Sequence, residues 1–248
     1  MNPDALALLR RRGLATTAEL LSVMTRQQLD VQRRKGGLVR VWRGVYSLGE
    51  PDLMTRLRAL DMLVGADVIA CMQTAAALYG FGVAGGGAVH VLDPGCRLRP
   101  ARGLVVHQRR GAPLHLVSGR PATAPAWTAV ELARELGRSR GLATLDSAVR
   151  SRWCTTADLH DAVRRQVGRR GIVGVRGLLP IVDPRAESAM ESEARLAMHD
   201  HGLPRPELQY LIRGCHGECW RVDFAWPEAR VAAEYDSVAW HAGRAEML

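Results

Sequence analysis

Lysine is almost absent from this chain. Lys35 is the only one, so 33 of the 34 basic residues are arginine. Together with the abundance of alanine, glycine and valine, this bias indicates a GC-rich genome, and arginine content alone does not identify a nucleic-acid-binding protein. The way in which the basic residues are distributed along the chain is therefore more informative than their number.

From the sequence pattern we expect neither an N-terminal signal peptide nor a membrane span. The uncharged run from Val68 to Leu92 is interrupted by five glycines and Gln73, so we expect a buried helix, a glycine-rich turn and a strand there. Cysteine is scarce and odd in number, and without a signal peptide this favours a reducing, cytoplasmic location. The five cysteines are Cys71, Cys96, Cys154, Cys215 and Cys219.

Charge is spread unevenly over the 248 residues, a length that suits two or three domains. Residues 1–50 carry nine basic and four acidic side chains, residues 51–186 carry nineteen and ten, and residues 187–248 carry six and eleven. A basic front attached to an acidic rear is typical of nucleic-acid binding followed by a carboxylate-rich site. We expect an α+β protein with three domains, at residues 1–50, 51–183 and 184–248.

The first fifty residues have the pattern of three helices followed by a β-hairpin. Apolar stripes, capping threonines and terminating glycines mark the helices, and Arg43-Gly44 joins the two β runs. The expected segments are Asp4–Arg12, a helix capped by Thr16 or Thr17, a helix capped by Thr25 that runs to Lys35, and the β runs Leu38–Trp42 and Val45–Leu48.

The third helix and the hairpin carry the chemistry for DNA recognition. In a major groove glutamine pairs with adenine and arginine with guanine, while arginines on a hairpin contact phosphates or the minor groove. The alternative is a small helical bundle that contacts protein, with charges that are only solvated. The candidate DNA-binding residues are Gln28, Gln32, Arg33, Arg34, Lys35, Arg40 and Arg43.

The run GLVRVWRGVYSL at residues 37–48 resembles the wing of the N-terminal winged helix-turn-helix domain in AbiEi-like type IV antitoxins. The segments ATTAELL and TRQQLDVQRRKGG fit the same domain, and the alanine-rich stretch at residues 74–80 resembles the helix that follows it in those proteins. The resemblance implies a protein that binds double-stranded DNA and represses its own operon. It also makes a cognate toxin a candidate partner.

The middle region has the pattern of a mixed α/β domain without a catalytic constellation. Its histidines are scattered, and we expect ordinary structural roles for them. The expected elements are one or two helices at residues 55–80, strands Ala88–Leu92 and Leu104–Gln108, helices Trp127–Leu136 and Leu142–Arg150, and a helix capped by Thr155 that runs through Asp158 to Arg170.

The rear segment predicts a helix followed by a three-stranded meander, an αβββ order. This is the start of a restriction-endonuclease-like core, which needs a crossover helix and a further strand to finish. Because the chain stops at Leu248, we expect this fold to be incomplete, with an unpaired sheet edge. The expected elements are a helix from about Ala189 to His201 and strands Leu208–Ile212, Trp220–Trp226 and Arg230–Tyr235.

Four motifs of the rear segment, SAMESEARL, GLPRPELQ, WRVDFAWPE and VAAEYDSVAWH, together resemble the very-short-patch-repair-like endonuclease domain. The resemblance implies Glu191, Asp223 and Glu234 as Mg²⁺ ligands, a role that suits hard oxygen donors. It also implies Asp236, where related nucleases often have lysine, and His241 as catalytic residues, the latter for proton transfer. The alternative leaves the carboxylates exposed on a helix face and a sheet face.

The sequence therefore favours an antitoxin-like transcriptional regulator that binds DNA and carries a degenerate nuclease-like tail. The alternative is a Mg²⁺-dependent DNA endonuclease that the winged helix targets to its substrate. A third hypothesis is a protein-binding module that neutralises a toxin through its middle domain.

Overall fold

The computed structural model describes residues 2–81, 87–95, 98–108 and 111–235, and it confirms a mixed α+β protein. These residues form ten α-helices, two 3-10 helices and several small sheets. The chain divides into two compact units, Met1–Thr74 with Gly85–Thr123 and Ala75–Ala84 with Ala124–Leu248. Across the described ranges, none of the helices combines the length and the apolar character that a membrane crossing requires.

The first unit begins with the predicted three helices and hairpin. A short strand that was not predicted joins the hairpin, and the three strands form an antiparallel sheet in the order β1-β3-β2. The elements are α1 Pro3–Arg12, β1 Ala15–Thr16, α2 Thr17–Leu21, α3 Arg26–Arg34, β2 Val39–Trp42 and β3 Val45–Ser47.

Local capping explains where α3 begins. The Thr25 hydroxyl accepts the N–H of Gln28, and the Gln28 side chain accepts the N–H of Thr25, which satisfies two donors of the helix start. Leu29 is the one buried residue of α3, where it joins a core that includes Leu9 and Leu20. Most of the α3 surface therefore faces solvent.

The rest of the first unit contains two pairs of strands. β4 and β5 are parallel, β6 and β7 are antiparallel, and Ala70 forms bridges to Val91 and Ala122 that connect the pairs. The hairpin of β6 and β7 was not predicted. The elements are α4 Leu53–Val64, β4 Val89–Leu92, β5 Leu104–His107, β6 Leu114–Val117 and β7 Arg120–Thr123, and helix α5 Met72–Tyr79 crosses the division after Thr74.

Arg56 of α4 ties the first hairpin to the strands that follow. Its guanidinium donates to the carbonyls of Gly87 (2.5 Å) and Gly103 (2.9 Å) and lies 5.1 Å from the centre of the Trp42 ring. The Trp42 indole N–H in turn donates to the Arg56 carbonyl at 2.8 Å. A Cβ at Gly103 would approach the guanidinium to 3.0 Å, and the φ of +78° there also favours glycine.

After the end of α5, the second unit continues with four helices. The predicted helix through Arg170 is too long, because α8 ends at Arg165 and a separate helix starts after Gly171. Gly168 and Gly171 both have φ of +83°, a left-handed conformation that interrupts an α-helix. The elements are α6 Pro125–Glu135, α7 Arg138–Arg150, α8 Thr156–Arg165, α9 Ile172–Leu178 and a 3-10 turn at Leu179–Ile181.

A buried polar network connects α7 to the helix that follows the predicted domain boundary at residue 184. Arg195 of that helix, α10 (Ala189–Asp200), pairs with Asp146 of α7, and the two side chains are 2% and 0% exposed. Arg195 also donates to the Ile181 carbonyl, and the backbone N–H of Asp183 donates to Asp146 at 2.8 Å. These contacts join the two sides of the boundary within one unit.

The predicted helix and three-stranded meander are present at the rear. The strands β8 Glu207–Arg213, β9 Cys219–Trp226 and β10 Val231–Ala233 form an antiparallel sheet in the order β10-β9-β8. Leu208 and Phe224 are buried together, and Met198 of α10 packs against them. The third strand is shorter than the predicted run.

Candidate nucleic-acid interface and carboxylate cluster

Three of the predicted DNA-binding arginines surround one open depression. Arg33 and Arg34 lie in the last turn of α3 and Arg40 lies on β2, and with Asp30 and Leu38 they line a volume of about 490 Å³. All three arginines are exposed. Because only a short glycine-containing turn separates α3 from β2, residues close in sequence bring three guanidinium groups to one concave surface.

Asp30, which was not among the predicted residues, shares this depression. Its carboxylate accepts from Arg33 at 3.2 Å, and the Arg33 and Asp30 side chains are 39% and 52% exposed. Exposed ion pairs of this kind contribute about 0–1 kcal/mol. A phosphate can therefore replace Asp30 as the partner of Arg33 at little cost.

The two predicted glutamines also have structural contacts. Gln28 uses its side-chain oxygen in the capping box of α3, 2.8 Å from the N–H of Thr25, so its amide NH₂ is the group that can reach a base. Gln32 is half-buried, and its side-chain oxygen lies close to Gly37, where a Cβ would approach it to 2.6 Å.

Lys35 and Arg43 lie apart from the depression that the other three cations line. Lys35 is the exposed C-cap of α3. Arg43 is exposed in the turn between β2 and β3 and lines a different depression, which also contains Trp42. The predicted cations thus do not share one surface, because three line one depression, Arg43 lines another and Lys35 lines neither of these two.

In the second unit Gln209 brings Glu191 and Asp223 together. Its side-chain NH₂ donates to Glu191 at 3.0 Å and to Asp223 at 3.4 Å. Glu191, in the first turn of α10 and 7% exposed, also accepts the backbone N–H of Glu187 at 2.8 Å. The second oxygen of Asp223 accepts the N–H of Tyr235 at 2.9 Å. Both carboxylates are thus bound by N–H donors.

The backbone of Gln209 is in the left-handed region, with φ of +54°. It lies on β8 between the pairs Leu208–Phe224 and Tyr210–Val222, which places it opposite Asp223. A non-glycine residue in this conformation costs about 1–3 kcal/mol and persists where the surroundings fix it. Gln209 was not predicted as a site residue; its only signal was a polar side chain inside the strand sequence ELQYLIR.

The described residues do not assemble the predicted Mg²⁺ ligands. Glu234 is exposed. Nowhere in the described ranges do three or more His, Cys, Asp or Glu side chains come close enough together to hold a metal ion. Asp236 and His241 lie outside the described residues.

Comparison with known proteins identifies the middle of the chain. Residues 68–181 match the family described as the AbiEi antitoxin C-terminal domain, which confirms the predicted resemblance for that range. The range extends from just before α5 to the end of the 3-10 turn at Leu179–Ile181.

Two mycobacterial proteins are similar over most of the chain. They are uncharacterized protein MT2308 of Mycobacterium tuberculosis (strain CDC 1551 / Oshkosh) and uncharacterized protein Rv2248 of Mycobacterium tuberculosis (strain ATCC 25618 / H37Rv). Each is 66% identical over 225 residues, which cover 91% of this chain and 83% of the relative. The chain therefore belongs to the same family as these mycobacterial proteins, and its residues 68–181 are similar to the AbiEi antitoxin C-terminal domain.

Proposed function

We propose that the protein is an antitoxin-like transcriptional regulator that binds double-stranded DNA through residues 1–50. The observation that carries the proposal is the convergence of Arg33, Arg34 and Arg40 on one exposed surface. The AbiEi antitoxin domain at residues 68–181 supports an antitoxin or regulator role.

In this proposal residues 1–50 are a winged helix-turn-helix. Helices α2 and α3, separated by residues 22–25, form the helix-turn-helix, and β2 with β3 forms the wing. Because α3 buries only Leu29, a wide polar face is free to enter a major groove. Gln28 lies near the N-terminal end of that helix, the part that contacts base edges in such motifs.

The arginines at the other end of α3 and on β2 position the protein on the DNA backbone. Guanidinium groups form two parallel hydrogen bonds with phosphate oxygens, and each neutralised phosphate releases counterions. Binding should therefore weaken as salt rises, and it should not require Mg²⁺. The proposed target is the promoter of the protein's own operon, and the proposed protein partner is a cognate toxin.

An electrophoretic mobility shift with labelled DNA from the region upstream of the gene tests the proposal. We expect a shift with either Mg²⁺ or EDTA. Changing Arg33, Arg34 and Arg40 together to Gln should remove three phosphate contacts and lower the slope of log K against log salt by about 2–3. DNA binding by this variant with unchanged affinity and salt slope would contradict the assignment.

The matched control carries the same charge change elsewhere. Arg165, Arg170 and Arg176 are exposed in the second unit, and their replacement by Gln should leave the salt slope within about 1 of the parent. An equal loss of DNA affinity in both triple variants would mean that total charge, and not the surface of α3 and β2, determines binding.

A second candidate function is a Mg²⁺-dependent DNA endonuclease in the rear segment. The observation that favours it is the pairing of Glu191 with Asp223 beside Gln209. The order α10, β8, β9 and β10 is also that of the start of a restriction-endonuclease-like core. It ranks second because N–H donors bind three of the four carboxylate oxygens of Glu191 and Asp223, and within the described residues no third ligand joins them.

Nicking of supercoiled plasmid in Mg²⁺ or EDTA tests this second function. Cleavage that requires Mg²⁺ and disappears in Asp223→Ala supports the endonuclease, with Glu191 and Glu234 as further ligands and Asp236 and His241 as catalytic candidates. The control is Asp200→Ala, an acid at the far end of α10 that pairs with Arg138. Equal nicking by Asp223→Ala and the parent would refute the proposed ligands.

A further inference from the structure

We infer that the first unit contains a binding site for a small organic anion with an apolar body. The site is the depression beside the first hairpin, with a volume of about 560 Å³. Its lining includes Trp42, Arg43, Leu60, Leu63, Arg99 and Leu104. Ligand pockets typically enclose about 300–1,000 Å³ and combine apolar walls with a few polar groups.

The walls of the site are apolar. Leu60 is fully buried, and Leu104 and Trp42 are 4% and 7% exposed. Leu63 on the next turn of α4 is 44% exposed and lines the same depression. A ligand with an apolar body would cover Leu63 and remove that surface from water.

The charge of the site comes from two arginines. Arg43 and Arg99 are both exposed, and neither forms an ion pair within the described ranges. Two guanidinium groups beside one apolar pocket complement a single carboxylate, sulfonate or phosphate on an apolar body. The limited volume and the grouping of both cations at one place favour a small molecule over an extended peptide.

One wall of the site is held in place before any ligand binds. The Trp42 indole donates to the Arg56 carbonyl at 2.8 Å, and the Arg56 guanidinium lies 5.1 Å from the ring centre. A preformed wall reduces the conformational entropy that a ligand must remove on binding.

The site shares Arg43 with the proposed wing, which gives it a regulatory consequence that rests on the proposed function. An anion bound to Arg43 neutralises a guanidinium that the wing offers to DNA. Occupancy of the site should therefore weaken DNA binding through direct competition for one side chain.

Fluorescence titration of the full chain with 1-anilinonaphthalene-8-sulfonate, a sulfonate on an aromatic body, tests the site directly. 1-Naphthoate should displace the probe at least about tenfold better than the neutral 1-naphthalenemethanol, because the guanidinium groups bind only the anion strongly. Leu63→Glu and Arg99→Gln should each lower the affinity for 1-naphthoate about tenfold. The controls Leu116→Glu and Arg165→Gln alter exposed residues that do not line the site. They should change the affinity for 1-naphthoate less than about twofold.

A second arm measures DNA binding with and without saturating 1-naphthoate. The parent should lose affinity for DNA, and Leu63→Glu should not respond. Probe displacement that is equal in the parent, Leu63→Glu and Arg99→Gln overturns the site, and DNA affinity that ignores a bound anion overturns the competition. If no DNA binds even without the anion, the proposed function fails, and the fluorescence arm alone still decides the site. Circular dichroism confirms that each variant is folded.

Discussion

Two charged sites differ in the contacts that their side chains already make. The basic surface of the first unit consists of Arg33, Arg34 and Arg40, and the carboxylate cluster of the second consists of Glu191 and Asp223 with Gln209. Arg34 and Arg40 are exposed and have no ion pair within the described residues. Glu191 and Asp223 accept hydrogen bonds from backbone and side-chain N–H groups. A solvent-exposed charged side chain can bind a ligand at a small free-energy cost. A charged side chain that already accepts hydrogen bonds within the protein must lose them first. The arginines are therefore the better candidates for ligand contact.

The largest effect on stability should follow from breaking the buried ion pair between Asp146 and Arg195. Burial raises the pKa of Asp146 above its ordinary value, although the adjacent Arg195 guanidinium acts in the opposite direction. Asp146→Ala leaves a buried cation without its anion and should reduce the free energy of unfolding by about 3–5 kcal/mol in urea denaturation. Asp146→Leu with Arg195→Met should recover much of that loss. If the double variant is no more stable than the single one, the pair itself stabilises the fold.

A smaller effect should appear in the pH dependence of stability through Asp183. Burial raises its pKa, but hydrogen bonds from Arg185 and Arg205 outweigh it and lower the pKa to about 2 from an ordinary 3.8. This stabilisation is fully present above pH 3.8 and is lost as the pH falls through about 2. It amounts to about 2 kcal/mol.

Asp183→Asn should remove this part of the acid sensitivity. Urea unfolding of the parent and the variant between about pH 5 and pH 2 measures it. If the free energies of unfolding of the parent and the variant fall in parallel as the pH drops, other carboxylates cause the acid sensitivity.

Substitutions at Gln209, which links Glu191 to Asp223, should have a still smaller effect on the free energy of unfolding. Gln209→Ala removes the amide that binds Glu191 and Asp223 and keeps the left-handed strain, so we expect a loss of about 1–2 kcal/mol. Gln209→Gly also removes the amide but relieves the strain, and it should be more stable than the alanine variant by about 1 kcal/mol. Equal stabilities of the two variants would mean that the backbone at this position stores no strain.

The smallest effect concerns the one acid of the basic surface. Asp30→Asn frees Arg33 and should tighten DNA binding about two- to fivefold, with stability unchanged within about 0.5 kcal/mol. Fluorescence anisotropy with labelled DNA measures the affinity. Asp161→Asn is a matched control, because Asp161 and Arg164 form an exposed pair with the same spacing on α8. The same gain in both variants would exclude a local role for Asp30.

The parts of the fold that depend on local interactions were predictable from the sequence. The Thr25 cap and the glycines after Arg34 set the limits of α3, and the hairpin strands lie within one residue of their predicted bounds. The basic surface was predictable for the same reason, because Arg33, Arg34 and Arg40 are close in sequence.

Features that join distant residues were not predictable. The buried pair of Asp146 and Arg195 spans 49 residues, and Gln209 reaches Glu191 across 18 residues. Sequence patterns report which side chains are polar, but they do not report which polar groups meet in the folded chain. The carboxylates were therefore named through a resemblance, whereas the amide that connects them was missed.

The contacts of Arg56 have a mechanical consequence. One guanidinium holds the carbonyls of Gly87 and Gly103 while it packs on Trp42 of the first hairpin. The hairpin is thus held at its base against the segments that lead into β4 and β5. If the proposed wing binds DNA, a displacement of the hairpin would therefore reach those segments through Arg56.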